Sequence, residues 1–348
     1  MGKLLNSAID KMLSVVNNAA FHSRLEPSAE IWDTKERDQL SVRVYGEALP
    51  EKGYDYRGSV FMFVEDMHNS IMPYLHISRE PEQTFTASIE PTNSTVETMV
   101  TEGLRSGGPR YRLVDALCDF VRKTAQTIFL YGCTAYEIVC ERDDKGGIKG
   151  FGLVPVNPLS LKKFLGNYYQ FIPSSVAEKF RLKAGIIRIP EEKIVYIEIP
   201  KELGGGRTLR KILKRLFWLS QELVPDFHLK AMRDNKNVGF NLEKYTYERY
   251  IEQALLTKNF GWNQRKVPDE NILEYYSLFR RLKKNKALTI VREKIIESIN
   301  QTLNGPLLNL RTSIEVEGIQ TTKEIEEQLE ILRAGNINFV DVFNKSMS

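Results

Sequence analysis

The sequence predicts an α+β protein, and three observations carry that prediction. A strongly periodic apolar pattern over about 111–131 reads as a long helix. The segment 133–200 loses that period and reads as strands gathered around one hairpin. From Thr208 to about 304 the helical period returns and dominates.

Each element has its own warrant. Leu4, Leu5, Ile9, Met12, Leu13, Val16 and Ala20 give a short amphipathic helix over 3–21. Ser41–Tyr45 is a short strand signal between turns at Gly46 and Gly53. Val60, Phe63, Val64, Met67 and Ile71 set one face of a second helix over 58–78, which Pro73 ends or kinks. A loop from Gly103 to Arg112 leads into the helix at 111–131, where Leu113, Val114, Leu117, Phe120, Val121, Ile128 and Phe129 recur near a 3.6 period before Gly132 interrupts. Thr134–Glu141, the turn Asp143–Gly147 and the returning Ile148–Val156 form a β-hairpin. Further strands are expected at Tyr168–Ile172, Gly185–Ile189 and Lys193–Ile199.

Gly204, Gly205 and Gly206 break the pattern. The helical region beyond them is punctuated by Pro225, Gly239, Gly261 and Pro268, and Leu288, Val291, Ile295, Ile299 and Leu303 form its cleanest stripe. Leu310–Val316 reads as a late strand. Thr322–Arg333 reads as a helix capped by Thr321 or Thr322, with Glu324, Glu326 and Glu327 near its positive end and Gly335 as its C-cap.

Composition narrows the function classes. The 348 residues are 42% hydrophobic and 27% charged, which is ordinary for a folded protein. Three cysteines, Cys118, Cys133 and Cys140, imply no disulfide framework, and no apolar run reaches the ~18 residues of a membrane span. The opening residues lack a signal-peptide pattern, so a soluble protein of a reducing compartment is expected. The 49 basic and 45 acidic residues leave only +4, too little to announce a nucleic-acid binder. Their distribution is uneven: −6 over 1–100, +4 over 101–200, +9 over 201–300 and −3 over 301–348.

Positive signs of catalysis are missing. The phosphate loop G-x-x-x-x-G-K-[ST] and the dinucleotide fingerprint G-x-G-x-x-G are both absent. The triple glycine lies between a strand and a helix, a context that suits phosphate binding, but three glycines are more commonly a flexible joint. His22, His68, His76 and His228 are scattered without zinc-ligand spacing, and the cysteines read as small buried hydrophobes. Glu137, Glu141, Asp143 and Asp144 could form a carboxylate metal site for nuclease chemistry; Asp143 and Asp144 sit where a hairpin turn favours Asp for backbone reasons. No metal and no cofactor is expected.

Two basic runs account for the +9 block. RTLRKILKR at 207–215 and RRLKKNK at 280–286 each hold five positive charges in a short span. The first combines an apolar stripe (Leu209, Ile212, Leu213, Leu216) with a cationic face. The second lies at the junction of two helical patterns, near a possible loop at Asn285. Either run could be a solvated surface or a surface meeting phosphate backbones without reading sequence. Arg207, Arg210, Lys211, Lys214, Arg280, Arg281, Lys283, Lys284 and Lys286 are the residues expected to face DNA.

The stretch TIFLYGCTAYEIVCERDDKGGIKGFGLVPVNPLSL at 127–161 resembles the wing region of tailed-phage portal proteins, in which a helix leads into a strand, a hairpin and a strand ending near proline. IPEEKIVYIEIP, the glycine joint and RTLRKILKRLFWL resemble the family's next strand, joint and helix, and EIEEQLEILRAGNINFVDVF resembles its late helix. The resemblance runs in order from about 110 to 345. Thr208 stands where the family's joint usually carries Ser, and 348 residues is short for the class.

The resemblance implies a portal-like fold: a mixed α/β wing, long stem or crown helices and a small β-containing clip. Residues 1–109 would be a poorly assigned N-terminal part of the wing, 110–205 its core with the hairpin, 206–305 the helical stem and crown-like region, and 306–348 a C-terminal strand and helix. It further implies a homo-oligomeric ring, usually a dodecamer, at one capsid vertex of the virion, assembled in the bacterial cytoplasm. Its partners would be double-stranded DNA, bound non-specifically during packaging and ejection, the major capsid protein, the terminase large subunit and a head-tail adaptor, with no membrane. The ring itself would be no enzyme, in keeping with the missing phosphate loop. The alternatives are a metal-dependent nucleic-acid-processing enzyme using Glu137, Glu141 and Asp143, and another capsid or connector component. A sliding channel needs weak repeated contacts, and a ring multiplies a small surplus of charge, so +4 is compatible with DNA passage.

Overall fold

A computed structural model describes residues 58–73, 85–104, 112–143, 147–172, 185–221, 242–262 and 274–335, and these mix helix and sheet as an α+β chain. The expected helix at 3–21 and the strand at Ser41–Tyr45 lie outside the described residues.

Helix α1, Gly58–Asn69, buries Val60, Phe63, Val64 and Met67 as its periodicity predicts. It ends at Asn69, four residues before Pro73, and not at 78. Strand β1, Thr86–Glu90, pairs antiparallel with a strand more than two hundred residues later. Helix α2, Ser94–Leu104, was not predicted. It opens where Asn93 Oδ1 accepts the backbone N–H groups of Thr95 and Val96, at 3.0 and 3.2 Å. Gly103 is therefore helical and not the start of a loop, and a Cβ there would stand 2.5 Å from the Phe151 ring.

Helix α3, Leu113–Tyr131, follows its predicted stripe closely. Asp115 accepts from the Arg112 backbone and guanidinium at its start. Gly132 ends it in the left-handed region, φ 80°, and its N–H donates to Ile128 O at 2.7 Å. The predicted hairpin follows as β2, Cys133–Arg142, and β3, Ile148–Val156, in register from Ala135↔Val156 to Cys140↔Phe151. Strand β7, Ile194–Glu198, pairs with the other edge of β2, which makes β2 the central strand. Eight consecutive residues of β2 are buried, because α3 covers one face and a second apolar cluster the other. On the α3 side Tyr136 stacks near Phe120, with ring centroids 4.9 Å apart, and its hydroxyl meets Thr124 Oγ1 at 2.7 Å.

That second cluster, including Ala135, Val156, Leu161, Tyr168, Ile189 and Ile194, leans on a small meander. Its strands are β4, Leu161–Phe164, β5, Asn167–Ile172, and β6, Gly185–Pro190. Strand β4 went unpredicted. Its turn to β5 uses Leu165 and Gly166, both at positive φ (47° and 73°), and a leucine there hides the turn signal.

The triple glycine is a packing device as well as a joint. Gly204, φ 95°, closes the short 3-10 turn Lys201–Leu203. Helix α4, Gly205–Gln221, then starts against the end of α3: a Cβ on Gly132 would lie 2.9 Å from Gly206 Cα, so backbone touches backbone. Helix α5, Leu242–Leu256, leads to Phe260 and Trp262, both buried and edge-on to Phe63 at 5.4 Å.

Helix α6, Glu274–Leu303, spans about 45 Å at 1.5 Å per residue. Leu288, Val291, Ile295, Ile299 and Leu303 are buried, as their spacing predicts. Strand β8, Ser313–Glu317, is β1's partner, held by Asn300 and Asn304, whose amides clamp the backbone of Ile314 and Thr312. Helix α7, Thr322–Ala334, is capped by Thr321 in a reciprocal box with Glu324 and ends at left-handed Gly335. It packs Ile325, Leu329 and Leu332 on Leu278 and Leu282 of α6.

Candidate functional site

The two basic runs meet different fates. On α4, Leu209, Ile212, Leu213, Leu216 and Leu219 are buried. Arg207, Lys211 and Lys214 are exposed, at i, i+4 and i+7, so they form one line along the opposite face. Trp218 continues that line one turn on and is 48% exposed. Arg207, Arg210, Lys211 and Lys214 have no carboxylate within 4 Å among the described residues. Arg215, the fifth cation, is engaged with Glu252 of α5 at 2.6 Å. Trp218 is not among the candidate residues the sequence suggests, although its spacing from Lys214 places it with the cations.

The 280–286 run corrects the expectation of a cationic loop tip. It lies within α6. Arg280 is 8% exposed and donates to Ala254 O at 3.2 Å and to Trp262 O, so it ties α6 to the end of α5. Burial lowers the pKa of its guanidinium. The run also meets Gly261, where an added Cβ would stand 2.3 Å from Lys284 N, so only glycine permits that approach. Lys284 Nζ donates to Ser70 Oγ at 3.1 Å, and Lys286 pairs with Glu326 of α7 at 2.7 Å. Arg281 is half-buried.

Lys283 lines an open cavity of about 310 Å³ between α6, α7 and the Lys201–Leu203 turn. Its Nζ lies 5.5 Å from the Phe279 ring centroid, and Arg333 Cζ lies 5.8 Å from the same ring. Burial, and then the neighbouring charges of Arg333, Lys286, Arg280 and Lys258, push the Lys283 pKa down. Glu202, Glu326 and Glu330 also line the cavity, so its walls carry both signs.

The other candidates are structural. Asp143 Oδ1 accepts Gly147 N–H at 2.6 Å, a turn contact, and Glu141 pairs with Lys149 at 2.9 Å. Glu137 is buried in β2, and Asp144 lies outside the described residues. Among the described residues no three His, Cys, Asp or Glu side chains converge as a metal site. His68 is buried, its Nδ1 2.8 Å from Val64 O; His22, His76 and His228 lie outside the described residues. All three cysteines are buried thiols, and burial raises Cys118 to about 12. No helix among the described residues is long and apolar enough to cross a membrane.

No protein-family profile matches the chain, and no curated protein matches it. Among solved structures, the crystal structure of an HK97-family phage portal protein from Corynebacterium diphtheriae is similar at 12% identity, covering 78% of this chain and 97% of that one, with a TM-score of 0.37. Agreement that loose carries no argument about function.

Proposed function

We propose that this chain is the subunit of a tailed-phage-type portal, a homo-oligomeric ring at one capsid vertex through which double-stranded DNA is packaged and ejected. The observation that carries the reading is the ordered unit from α3 to α4. The segments that resemble the portal wing form, in that order, a helix, an antiparallel hairpin, a partner strand, a glycine contact and a basic helix. In this reading 110–205 is the wing core, 206–305 supplies the stem and crown-like helices, and 306–348 closes the subunit through the β1–β8 pair.

The subunit is a conduit and not a catalyst. Of the carboxylates a nuclease would need, Asp143 is held in a turn, Glu141 is paired with Lys149 and Glu137 is buried in β2. DNA passage asks for weak, repeated, non-specific contacts. Arg281 and Lys283 of α6, with Arg210 of α4, are the cations we assign to it; Arg280, Lys284 and Lys286 are engaged inside the subunit. The capsid protein, the terminase large subunit and a head-tail adaptor are the expected partners, and the dodecamer is the expected ring.

Negative-stain electron microscopy of the purified chain tests the reading. Rings with a central hole wide enough for duplex DNA are expected. A monodisperse monomer with divalent-metal-dependent nuclease activity would overturn it.

A further inference from the structure

Two exposed helical faces of this chain complement each other and share no ion pair among the described residues. On α4, Arg207, Lys211 and Lys214 line one exposed face and end at Trp218. On α7, Glu327 and Glu330 are exposed at i and i+3, beside Ile331 (38% exposed) and Ala334. Lys323 begins that line one turn earlier. Neither Glu327 nor Glu330 has an ion-pair partner among the described residues. Neighbouring charges on the same helices do find partners inside the chain: Arg215 with Glu252, Glu326 with Lys286, and Glu324 in the Thr321 cap. The α4 face is wholly basic, while the α7 face is acidic through Glu327 and Glu330, with Lys323 one turn before them and Glu330 also at the rim of the Lys283 cavity.

We infer that the Arg207–Lys211–Lys214–Trp218 face of one subunit docks on the Glu327–Glu330–Ile331 face of a second copy. Lys211 and Lys214 are three residues apart, as are Glu327 and Glu330, so both pairs rise by about 4.5 Å and can meet as two parallel ion pairs. In that register Trp218, four residues past Lys214, meets Ala334, four past Glu330, with Ile331 one turn before it. Exposed tryptophan among cations is what a protein interface uses as an anchor, with charge at its rim. Duplex phosphates would meet the cations but leave the indole in water, so a second copy fits this face better than DNA. Because the two faces differ, the contact is head-to-tail, the type that closes into a ring when the rotation allows. The inference rests on the ring reading and assigns that ring its contact.

Charge reversal with rescue tests it in the full-length chain. Wild type, Lys211→Glu/Lys214→Glu, Glu327→Lys/Glu330→Lys and the combined quadruple variant are compared by light scattering and electron microscopy, with circular dichroism and thermal melting confirming that each is folded. Each double variant should raise the concentration for half-assembly at least about tenfold, since like charges are forced together. The quadruple variant should restore rings. Trp218→Ala, a milder change, should weaken assembly in the same direction. Rings in wild type and in both double variants would overturn the inference and leave the portal reading standing. So would folded double variants that the combination fails to rescue. An α4 double variant that forms rings but no longer retains DNA would reassign this face to nucleic acid. A wild type that is monomeric at all concentrations would overturn the portal reading and this contact together.

Discussion

Helices α4 and α6 carry basic runs that look alike in sequence, five positive charges within nine and seven residues. In the folded chain they behave differently. On α4 the apolar residues fall on one stripe, so the cations are left on the solvent side and, among the described residues, only Arg215 has an acidic partner. On α6 the same density of charge sits where α1, α7 and the end of α5 converge, and the cations become cross-links: Arg280 to Trp262 O, Lys284 to Ser70 and Lys286 to Glu326. Charge density in sequence therefore does not say whether a surface is available. The number of neighbouring elements around the run decides it.

Substitutions along the two runs should separate them, and the largest effect belongs to α6. Arg280→Ala removes hydrogen bonds from a buried charged donor to two backbone carbonyls, and should cost about 3 kcal/mol in chemical denaturation. Lys211→Gln with Lys214→Gln should change the stability of the isolated subunit by no more than about 0.5 kcal/mol. Equal losses for both would erase the contrast. Gly132→Ala comes next, because the contact that launches α4 demands both positive φ and close backbone approach; a loss of about 2 kcal/mol in melting experiments is expected.

Thr321→Ala should cost about 1 kcal/mol by removing the α7 cap. Hydrogen bonds from the Thr321 backbone and hydroxyl hold the Glu324 carboxyl below its usual pKa. Its contribution is therefore present above the unfolded carboxyl pKa and is lost as pH falls through the lowered folded value. Thr321→Ala keeps the backbone N–H and loses only the hydroxyl, so it should flatten the acid side of the stability profile in part, as measured by denaturant titration across pH. The smallest effect on the fold is expected from Arg281→Gln/Lys283→Gln: melting and ring assembly unchanged, DNA retention in assembled particles reduced. Normal retention would make that part of α6 only a solvated face.

Much of the fold was legible where one rule acted alone. α3, the β2–β3 hairpin, the stripe of α6 and the capped α7 each combine a clean period with end signals such as Gly132, Thr321 and Gly335. What escaped had contrary local chemistry. Strand β4 turns through Leu165 at positive φ, and α2 hides behind a glycine that exists to admit Phe151. The site was half legible. The sequence pointed to the α4 cations, and the i, i+4 spacing of Lys214 and Trp218 carried the indole as well; the burial of Arg280 depends on which helices pack nearby, and a single chain's periodicity does not encode that.

The central claim is that this subunit assembles into a closed ring. Native mass measurement of the purified full-length chain tests it most directly. The account predicts a discrete species at an integer multiple of 40.1 kDa, with rotationally symmetric particles. A single species at 40.1 kDa across the accessible concentration range would contradict it.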